Sequence, residues 1–192
     1  MDGMANLGTV AQLLDDDPGS LLILDTETTG LDPHRDDVLE LSIINGSGRA
    51  LVKGCRYGSH LMSWPDAEAV NGIKPIMVRH LQPLSDDAPR ISGLLRRASV
   101  IAGYNVFFDI GFLECHNVRL PKAVQFFDVM EAFAEVYGEW AQWLDNGNGG
   151  WRWQKLTTAG RYYDLDTVGA HGSFKDCQLT LEVLKKIVAA SS

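Results

Sequence analysis

The feature that most constrains the fold is a short apolar run that ends abruptly in two acids. Residues 21–24 read LLIL and lead directly into Asp25, Thr26 and Glu27. A compact apolar run of this length is typical of a strand buried on both faces. Because residues two apart in a strand project from the same face, we expect Asp25 and Glu27 to present two carboxylates side by side. Their charge would be costly there unless a cation or protons offset it.

Strand-like and helix-like segments alternate along the rest of the chain. Residues 38–44 and 49–52 flank the sequence NGSG and predict a β-hairpin, and residues 100–104 predict a buried strand. Helical spacing of apolar residues predicts helices at residues 106–114, 128–144 and 174–188. Further helices are predicted at residues 66–70, before an Asn-Gly pair, at residues 89–98, which end in two arginines, and at residues 153–162. Ser173 is the expected N-cap of the last helix. The pattern indicates an α/β layer fold, with helices packed against a mixed sheet.

The length of 192 residues favours one domain. Residues 1–19 form an N-terminal lead-in that closes with the turn-forming sequence DDDPG, and residues 20–192 form the main domain. The N-terminus lacks a basic segment followed by an apolar run, and no apolar stretch is long enough to cross a bilayer. We therefore expect a cytoplasmic protein with no membrane partner.

Charge and cysteine content narrow the classes of function. The net charge of −8 and the pI near 5.0 argue against a protein that holds nucleic acid mainly through a basic surface. They leave room for an enzyme whose acids gather divalent cations, which supply positive charge at a phosphate. Cys55, Cys115 and Cys177 form no C-x-x-C pair, so we expect reduced thiols and no zinc site.

Three further residues are candidates for the chemistry of Asp25 and Glu27. Asp109 and Asp176 lie near the starts of predicted helices, where the helix N-terminus favours an anion. His171 precedes Asp176 by five positions, which is about 140° apart on one continuous helix. We therefore expect Gly172 to let the chain turn, so that the imidazole reaches the carboxylates from a loop. Each residue has an ordinary structural explanation alone, and only their combination indicates a site.

Three motifs carry this combination: LDTETTGL at residues 24–31, GYNVFFDIGFL at residues 103–113 and AHGSFKD at residues 170–176. Together they resemble the DEDDh exonucleases of the DnaQ-like, ribonuclease H-like superfamily over residues 20–188. The related tyrosine-bearing branch would have tyrosine where this chain has Gly172. The resemblance implies an α/β, ribonuclease H-like three-layer fold with a mixed central β-sheet flanked by helices.

The resemblance also implies an activity, a metal centre and a general base. The activity is metal-dependent 3′→5′ exonuclease action at the 3′ end of single-stranded DNA, with release of nucleoside 5′-monophosphates. Two Mg²⁺ or Mn²⁺ ions would be held by Asp25, Glu27, Asp109 and Asp176, and His171 would be the general base.

Substrate contacts follow from the same resemblance. The implied positions are Thr26, Thr28, Gly30, Leu31, Asn71, Asn105 and Phe108. Asn71 begins an Asn-Gly-Ile segment where many relatives have His-Gly-Ile. Phe108 fits a core aromatic equally well.

Four tryptophans flank the Gly- and Asn-rich loop at residues 146–150, which we expect to end the helix 128–144. The helical spacing of Trp140 and Trp143 predicts core packing. Trp151 and Trp153 could instead stack on single-stranded bases or mark a partner surface.

Several functional alternatives remain open at this stage. An exoribonuclease or oligoribonuclease-type RNA-trimming enzyme would use the same residues, because only recognition of the 2′-hydroxyl separates the substrates. A non-catalytic polymerase-partner module would keep the fold without needing to gather four mutually repelling carboxylates. A structural calcium-binding domain is a third alternative. The expected partners are nucleic-acid 3′ ends and either a second copy of the chain or a polymerase-type protein.

Overall fold

The computed structural model describes residues 3–144 and 149–191 and has a mixed five-stranded sheet at its centre. Its strands are β1 (Leu21–Thr28), β2 (Val38–Asn45), β3 (Ala50–Arg56), β4 (Val100–Gly103) and β5 (Gln125–Asp128). The order across the sheet is β3-β2-β1-β4-β5. The pairs β1–β2 and β2–β3 are antiparallel, whereas β4 is parallel to both β1 and β5. The predicted α/β class and mixed sheet are therefore confirmed.

Helices cover both faces of the sheet. They are α1 (Leu7–Asp16), α2 (Pro65–Asn71), α3 (Pro75–Val78), α4 (Leu84–Leu95), α5 (Val106–Cys115), α6 (Val129–Tyr137), α7 (Leu156–Tyr162) and α8 (Ser173–Ser191). A separate two-stranded hairpin, β6 (Trp140–Ala141) with β7 (Gly150–Trp151), lies between α6 and α7 in the chain.

Alternate residues of β1 face two different cores. Leu22 and Leu24 pack with residues of α4 and α5, whereas Leu21 and Ile23 pack with residues of α1, α6 and α8. All four side chains are at most 1% exposed. Burial of each such side chain contributes about 1.5–3 kcal/mol. The apolar run is thus the middle layer of a three-layer fold, and the acids that follow it are held on a rigid strand.

The N-terminal lead-in packs on the core that contains residues of α6 and α8. Asn6 caps α1 by accepting a hydrogen bond from the Thr9 N–H at 2.8 Å. The Val10 side chain is fully buried in the core that contains α8. The Ala5 N–H donates to the Phe126 carbonyl oxygen at 2.8 Å, which attaches the lead-in to β5.

The predicted helix 128–144 is wrong in its second half. α6 ends at Tyr137 because Gly138 adopts the left-handed conformation, with φ 77°, and its N–H donates to the Ala134 carbonyl oxygen. Trp140 then enters β6, where its ring meets Trp151 edge to face at 4.9 Å. Trp140 and Trp143 are 53% and 70% exposed, so their predicted core packing is also wrong. Residues 146–148 of the loop expected to end the helix lie outside the described residues.

Other helix bounds also differ from the sequence predictions. The predicted helix 89–98 begins earlier, at Leu84, and contains Pro89 in its interior. The predicted helix 153–162 begins only at Leu156, because residues 152–155 form no regular secondary structure and Lys155 has an extended backbone. Ser173 is the first residue of α8, and its hydroxyl donates to Glu40 on β2. The hairpin and the predicted helices 66–70, 106–114 and 174–188 are present to within a few residues.

Two further observations concern membrane spans and cysteine thiols in the part of the chain that the structure describes. Among the described helices, none has the length and hydropathy needed to cross a membrane. Cys55, Cys115 and Cys177 are all free thiols in the structure.

Candidate active site

Three carboxylates converge where β1 meets the start of α8. Asp25 and Glu27 lie near the carboxyl end of β1, and Asp176 lies in the first turn of α8. One carboxylate oxygen from each lies within 4.8 Å of the others. The structure therefore brings Asp25 and Glu27 together with Asp176, which is distant in the sequence.

Asp109 reaches the same region through a contact with β1. α5 begins three residues after β4 ends, and its first turn places Asp109 behind the strand. The carboxylate oxygen Oδ1 of Asp109 accepts from the Thr26 N–H at 2.9 Å and from the Thr26 hydroxyl at 2.6 Å. Asp109 is 3% exposed and lies outside the three-carboxylate group. Thr26 thus connects Asp109 to the strand that carries Asp25 and Glu27.

Burial raises the pKa of Asp25, Glu27, Asp109 and Asp176, and repulsion among these acids adds to the shift of Asp25 and Glu27. Burial is the main cause for Asp25, whose pKa lies well above its usual range, with further contributions from the charges of Asp109, Glu27 and Asp176. Burial, and then Asp176, raise the pKa of Glu27 to about 8. Burial raises the pKa of Asp109 to about 7, although the Thr26 hydrogen bonds oppose the shift. Without cations, the cluster therefore retains protons at neutral pH.

A buried polar network lies directly behind the three carboxylates. Across the β1–β2 ladder, Asp25 pairs with Ser42 and Glu27 pairs with Glu40. The Ser173 hydroxyl donates to Glu40 Oε1 at 2.9 Å and lies 2.7 Å from the Ser42 hydroxyl. This network fixes the first residue of α8 against β2, and so fixes Asp176 relative to Asp25 and Glu27.

Sequence reasoning missed this network, although one observation could have shown it. Glu40 interrupts the apolar sequence VLELSII of a strand buried on both faces. A buried acid in such a strand requires partners. Arg56 Nε provides one, 3.1 Å from Glu40 Oε2, and Ser173 provides the other.

His171 enters the cluster from the loop before α8. Its backbone is left-handed, with φ 76°, and its N–H donates to Asp176 Oδ2 at 3.1 Å. The left-handed backbone lies at Gly169 and His171, and the chain bends at both His171 and Gly172 before α8 begins. A non-glycine residue is strained in this conformation, so the contact with Asp176 must help to maintain it. The side chain is exposed and lines the same cleft as Asp25 and Asp176.

Two adjoining clefts open at the carboxylates. The acid cleft, of about 760 Å³, is lined by Asp25, Asp176 and His171 among others. The strand-end cleft, of about 570 Å³, is lined by Glu27 and by the segment that follows it. Val70 of α2 lines both clefts, so they form neighbouring compartments on either side of the acids.

Most of the residues expected to contact substrate meet in the strand-end cleft. Those that line it are Thr26, Thr28, Gly30, Leu31, Asn71 and Phe108. Leu31 is 84% exposed and offers an apolar surface at the cleft. The Asn71 amide donates to the Thr28 carbonyl oxygen at 3.2 Å, which holds α2 against the end of β1. Phe108 also packs on Phe112 at a ring distance of 4.9 Å, so it belongs both to the core and to the cleft.

Asn105 is not among the residues that line the two clefts. It is the residue before α5, has left-handed backbone with φ 67°, and donates its N–H to Asp128 Oδ1 at 3.1 Å. Asp128 also accepts from the Val106 N–H at 3.2 Å. The structure therefore places Asn105 in the turn that orients α5 and Asp109.

The carboxylates fit a divalent cation by their chemistry and by what they leave unpaired. Oδ1 of Asp176 is buried and has no hydrogen-bond partner among the described residues. An unpaired buried carboxylate oxygen is costly unless a bound ion or water satisfies it. The three-residue group offers only carboxylate oxygens, the ligands that Mg²⁺ and Mn²⁺ prefer.

Fold and site together define a ribonuclease H-like protein with an acidic centre at the carboxyl end of its central strand. The chain belongs to the exonuclease family whose model, RNase_T, matches residues 22–184. Within that family it is a member of the DnaQ-like DEDDh group of 3′→5′ exonucleases, because the matched span contains Asp25, Glu27, Asp109, His171 and Asp176.

Solved structures with this fold include two named exonucleases. E. coli Exonuclease I, in complex with a dT13 oligonucleotide, matches with a TM-score of 0.67 and 20% identity, over 87% of this chain and 40% of that one. Exonuclease X, in complex with 5′ overhanging duplex DNA, matches with a TM-score of 0.64 and 19% identity, over 89% of this chain and 92% of that one. At these identities the likeness concerns the fold.

The similar curated proteins are much longer than this chain. DNA polymerase III PolC-type of Thermotoga maritima is 30% identical over 100 residues, which are 49% of this chain and 7% of the relative. The protein of the same name from Caldanaerobacter subterraneus subsp. tengcongensis is 21% identical over 174 residues, 88% of this chain and 12% of the relative. The chain thus corresponds to a small part of each.

Proposed function

We propose that this protein removes nucleotides from the 3′ end of single-stranded DNA and releases nucleoside 5′-monophosphates. The observation that carries the proposal is the convergence of Asp25, Glu27 and Asp176, with carboxylate oxygens within 4.8 Å of one another. Asp109 lies behind them and His171 lies in the same cleft. This is an acidic centre with one adjacent imidazole, which suits hydrolysis of a phosphodiester.

The proposed cofactor is a pair of Mg²⁺ or Mn²⁺ ions. Asp25, Glu27 and Asp176 would hold the first ion, Asp25 would also hold the second, and Asp109 would act on that ion through water. Bound cations at such a site make water a better nucleophile and stabilise the leaving 3′ oxygen. The pKa values raised by burial and repulsion support this assignment, because cations would offset the charge that now favours protons.

His171 is the proposed general base. A ring nitrogen of an imidazole can accept the proton of the attacking water. The loop before α8 presents the ring to the acid cleft, and the bond from its N–H to Asp176 holds that loop in place. Removal of the ring should therefore affect proton transfer more than metal binding.

The strand-end cleft is the proposed site of the 3′-terminal nucleotide. Leu31 and Phe108 offer apolar and aromatic surface for the base, while Thr28 and Gly30 present the backbone after β1. DNA is the proposed substrate because the similar curated proteins are called DNA polymerases and the similar structures contain a dT13 oligonucleotide or duplex DNA.

Comparison of matched substrates tests this proposal. Single-stranded DNA and RNA of the same sequence, each labelled at the 5′ end, would be incubated with Mg²⁺, Mn²⁺ or EDTA. We expect a metal-dependent ladder that shortens from the 3′ end and a higher kcat/KM for DNA. A higher kcat/KM for RNA would replace the proposed substrate with RNA, and no cleavage of either strand would favour a non-catalytic partner module.

We also propose a polymerase-type protein as partner, which the PolC-type relatives support, and the cytoplasm as the place of action. In those relatives the matched segment is part of a longer chain that carries the polymerase name. Light scattering of the protein alone, and with a purified replicative polymerase, separates a monomer, a homodimer and a polymerase complex.

A further inference from the structure

The segment at residues 152–155 has no regular secondary structure, contributes three residues to the wall of the acid cleft and has no part in the chemistry proposed above. It connects β7 to α7, and Trp153, Gln154 and Lys155 all line the cleft that contains Asp25, His171 and Asp176. Trp153 is 61% exposed, which is unusual for so large an apolar side chain beside a polar site. Trp153 also lines a second pocket next to the cleft, together with Trp143 and Trp151.

Three hydrogen bonds hold this segment in place, two through its backbone and one through the Gln154 side chain. The Arg152 N–H donates to the Glu139 carbonyl oxygen at 2.8 Å. The Gln154 amide donates to Glu139 Oε2 at 3.0 Å, and the Tyr104 hydroxyl donates to the Gln154 carbonyl oxygen at 2.9 Å. Because Tyr104 directly follows β4, the segment is fixed to the sheet that carries the acids. Trp153 is therefore exposed on a constrained backbone.

Lys155 supplies the positive charge that this acidic cleft otherwise lacks. The neighbouring cations are neutralised: Arg152 pairs with Glu139 at 2.8 Å and Lys175 pairs with Asp166 at 3.2 Å. Within the described residues, Lys155 forms no ion pair and its side chain caps no helix. An unpaired ammonium beside a stacking surface is the combination that binds single-stranded nucleic acid, with the charge on a phosphate and the ring on a base.

We propose that Trp153 and Lys155 bind the substrate strand on the 5′ side of the scissile phosphate, Trp153 by stacking on a base and Lys155 by contacting a backbone phosphate. This assignment rests on the proposed function. The occupant is a continuous strand because the acid cleft adjoins the strand-end cleft, where the terminal nucleotide is proposed to lie. Both residues would act on binding of longer substrates and would leave the hydrolytic step unchanged.

The test compares two substrates that differ only in the upstream strand. An oligothymidylate reaches residues 152–155, whereas the p-nitrophenyl ester of thymidine 5′-monophosphate fills only the terminal site. For the oligonucleotide, Trp153→Ala is expected to raise KM about tenfold, the order expected for loss of one base stack. For the ester its kcat/KM should equal that of the wild type. Trp153→Phe should restore most of the affinity, which a merely structural role would not predict.

The role of Lys155 is tested by a separate measurement, the salt dependence of KM. Lys155→Ala should make the negative slope of log(1/KM) against log[salt] shallower by about 0.7, the contribution of one phosphate contact on a single strand. Lys155→Arg should keep the slope. The matched controls are Trp143→Ala, exposed but outside the acid cleft, and Lys122→Ala, exposed just before β5 at the opposite end of the sheet.

Failure of the inference and failure of the proposed function give different results. If the wild type cleaves both substrates and the two alanine variants match the controls on the oligonucleotide, residues 153 and 155 do not bind the strand. If both variants lose ester hydrolysis as well, Trp153 and Lys155 support the structure of the site, and the inference is overturned. If the wild type cleaves neither substrate with metal bound, the proposed function itself is wrong.

Discussion

At the scale of single residues, the roles of Asp25 and His171 can be separated. Asp25 is one of three converging carboxylates, whereas His171 enters the cleft from a loop. We expect Asp25→Ala to lose both metal binding and turnover. His171→Ala should retain metal and lose about 10²- to 10⁴-fold in kcat, the usual contribution of a general base. Calorimetric titration with Mn²⁺, beside single-turnover kinetics, distinguishes the two; normal binding of two ions by Asp25→Ala would remove Asp25 from the centre.

The raised pKa of Glu27 predicts a pH-dependent stability of the metal-free protein. A carboxyl group whose pKa is higher in the folded than in the unfolded chain contributes stability below the unfolded pKa, and loses it as pH rises through the folded pKa. For Glu27 that window runs from about 4.5 to about 8. In EDTA, the melting temperature should therefore fall across this window more in the wild type than in Glu27→Gln.

The same linkage predicts how cations act on stability. Ligand carboxylates must lose their protons to bind a metal, so binding releases protons and strengthens as pH rises. Addition of Mn²⁺ should raise the melting temperature more at pH 8 than at pH 5. A stabilisation by Mn²⁺ that is equal at both pH values, or present in full in Glu27→Gln, would contradict the assignment of Glu27 as a ligand.

At the scale of secondary-structure elements, the start of α8 determines where Asp176 lies relative to Asp25 and Glu27. Ser173 connects this helix to β2 through Glu40 and Ser42, and all three side chains are buried. Ser173→Ala would leave one oxygen of Glu40 without this donor, at a cost of about 1–3 kcal/mol in the free energy of unfolding. It should also lower kcat by displacing Asp176.

Denaturant unfolding and kinetics of Ser173→Ala would be compared with Ser191→Ala, the same substitution at the other end of α8. The Ser191 hydroxyl donates only to the Ile187 carbonyl oxygen of its own helix, at 3.0 Å. We expect Ser191→Ala to change the free energy of unfolding by less than about 0.5 kcal/mol. Equal effects of the two substitutions would contradict the role given to the Ser173 network.

The elements differ in how well the sequence predicts them. β1, the hairpin and α5 follow from local patterns, because apolar runs, Gly-containing turns and helical spacing act over a few residues. The end of α6 does not follow from a local pattern, because the helical spacing of tryptophans continues past Gly138 while the backbone turns at that residue. β5 was also missed, since QFFD is too short to recognise without its neighbour β4.

The site shows the same division between features that short sequence motifs predict and contacts between residues far apart in the sequence. Motifs predicted that the acids and His171 belong together, and the structure brings Asp25, Glu27 and Asp176 within one cluster. The contact between Thr26 and Asp109 and the network around Glu40 join residues 83 and 133 positions apart. No periodicity along the chain encodes pairings at such separations, so they required the folded structure.

At the scale of the whole molecule, the N-terminal lead-in contributes to the core that supports α8. Val10 is fully buried against that core, so Val10→Ala should lower the free energy of unfolding by about 1–3 kcal/mol. Gln12→Ala, exposed on the same helix, is the matched control and should have little effect. Equal stability of both variants in a denaturant titration would mean that α1 is dispensable for the fold.

The most direct test of the whole account follows the order in which products appear. A single-stranded DNA labelled at its 5′ end and carrying a free 3′ hydroxyl would be incubated with Mn²⁺ and either the wild type or His171→Ala. We predict that the wild type shortens the labelled strand one nucleotide at a time and releases nucleoside 5′-monophosphates, while the variant does not. Immediate internal fragments, or equal activity of the variant, would contradict a 3′→5′ exonuclease built on this carboxylate cluster and its histidine.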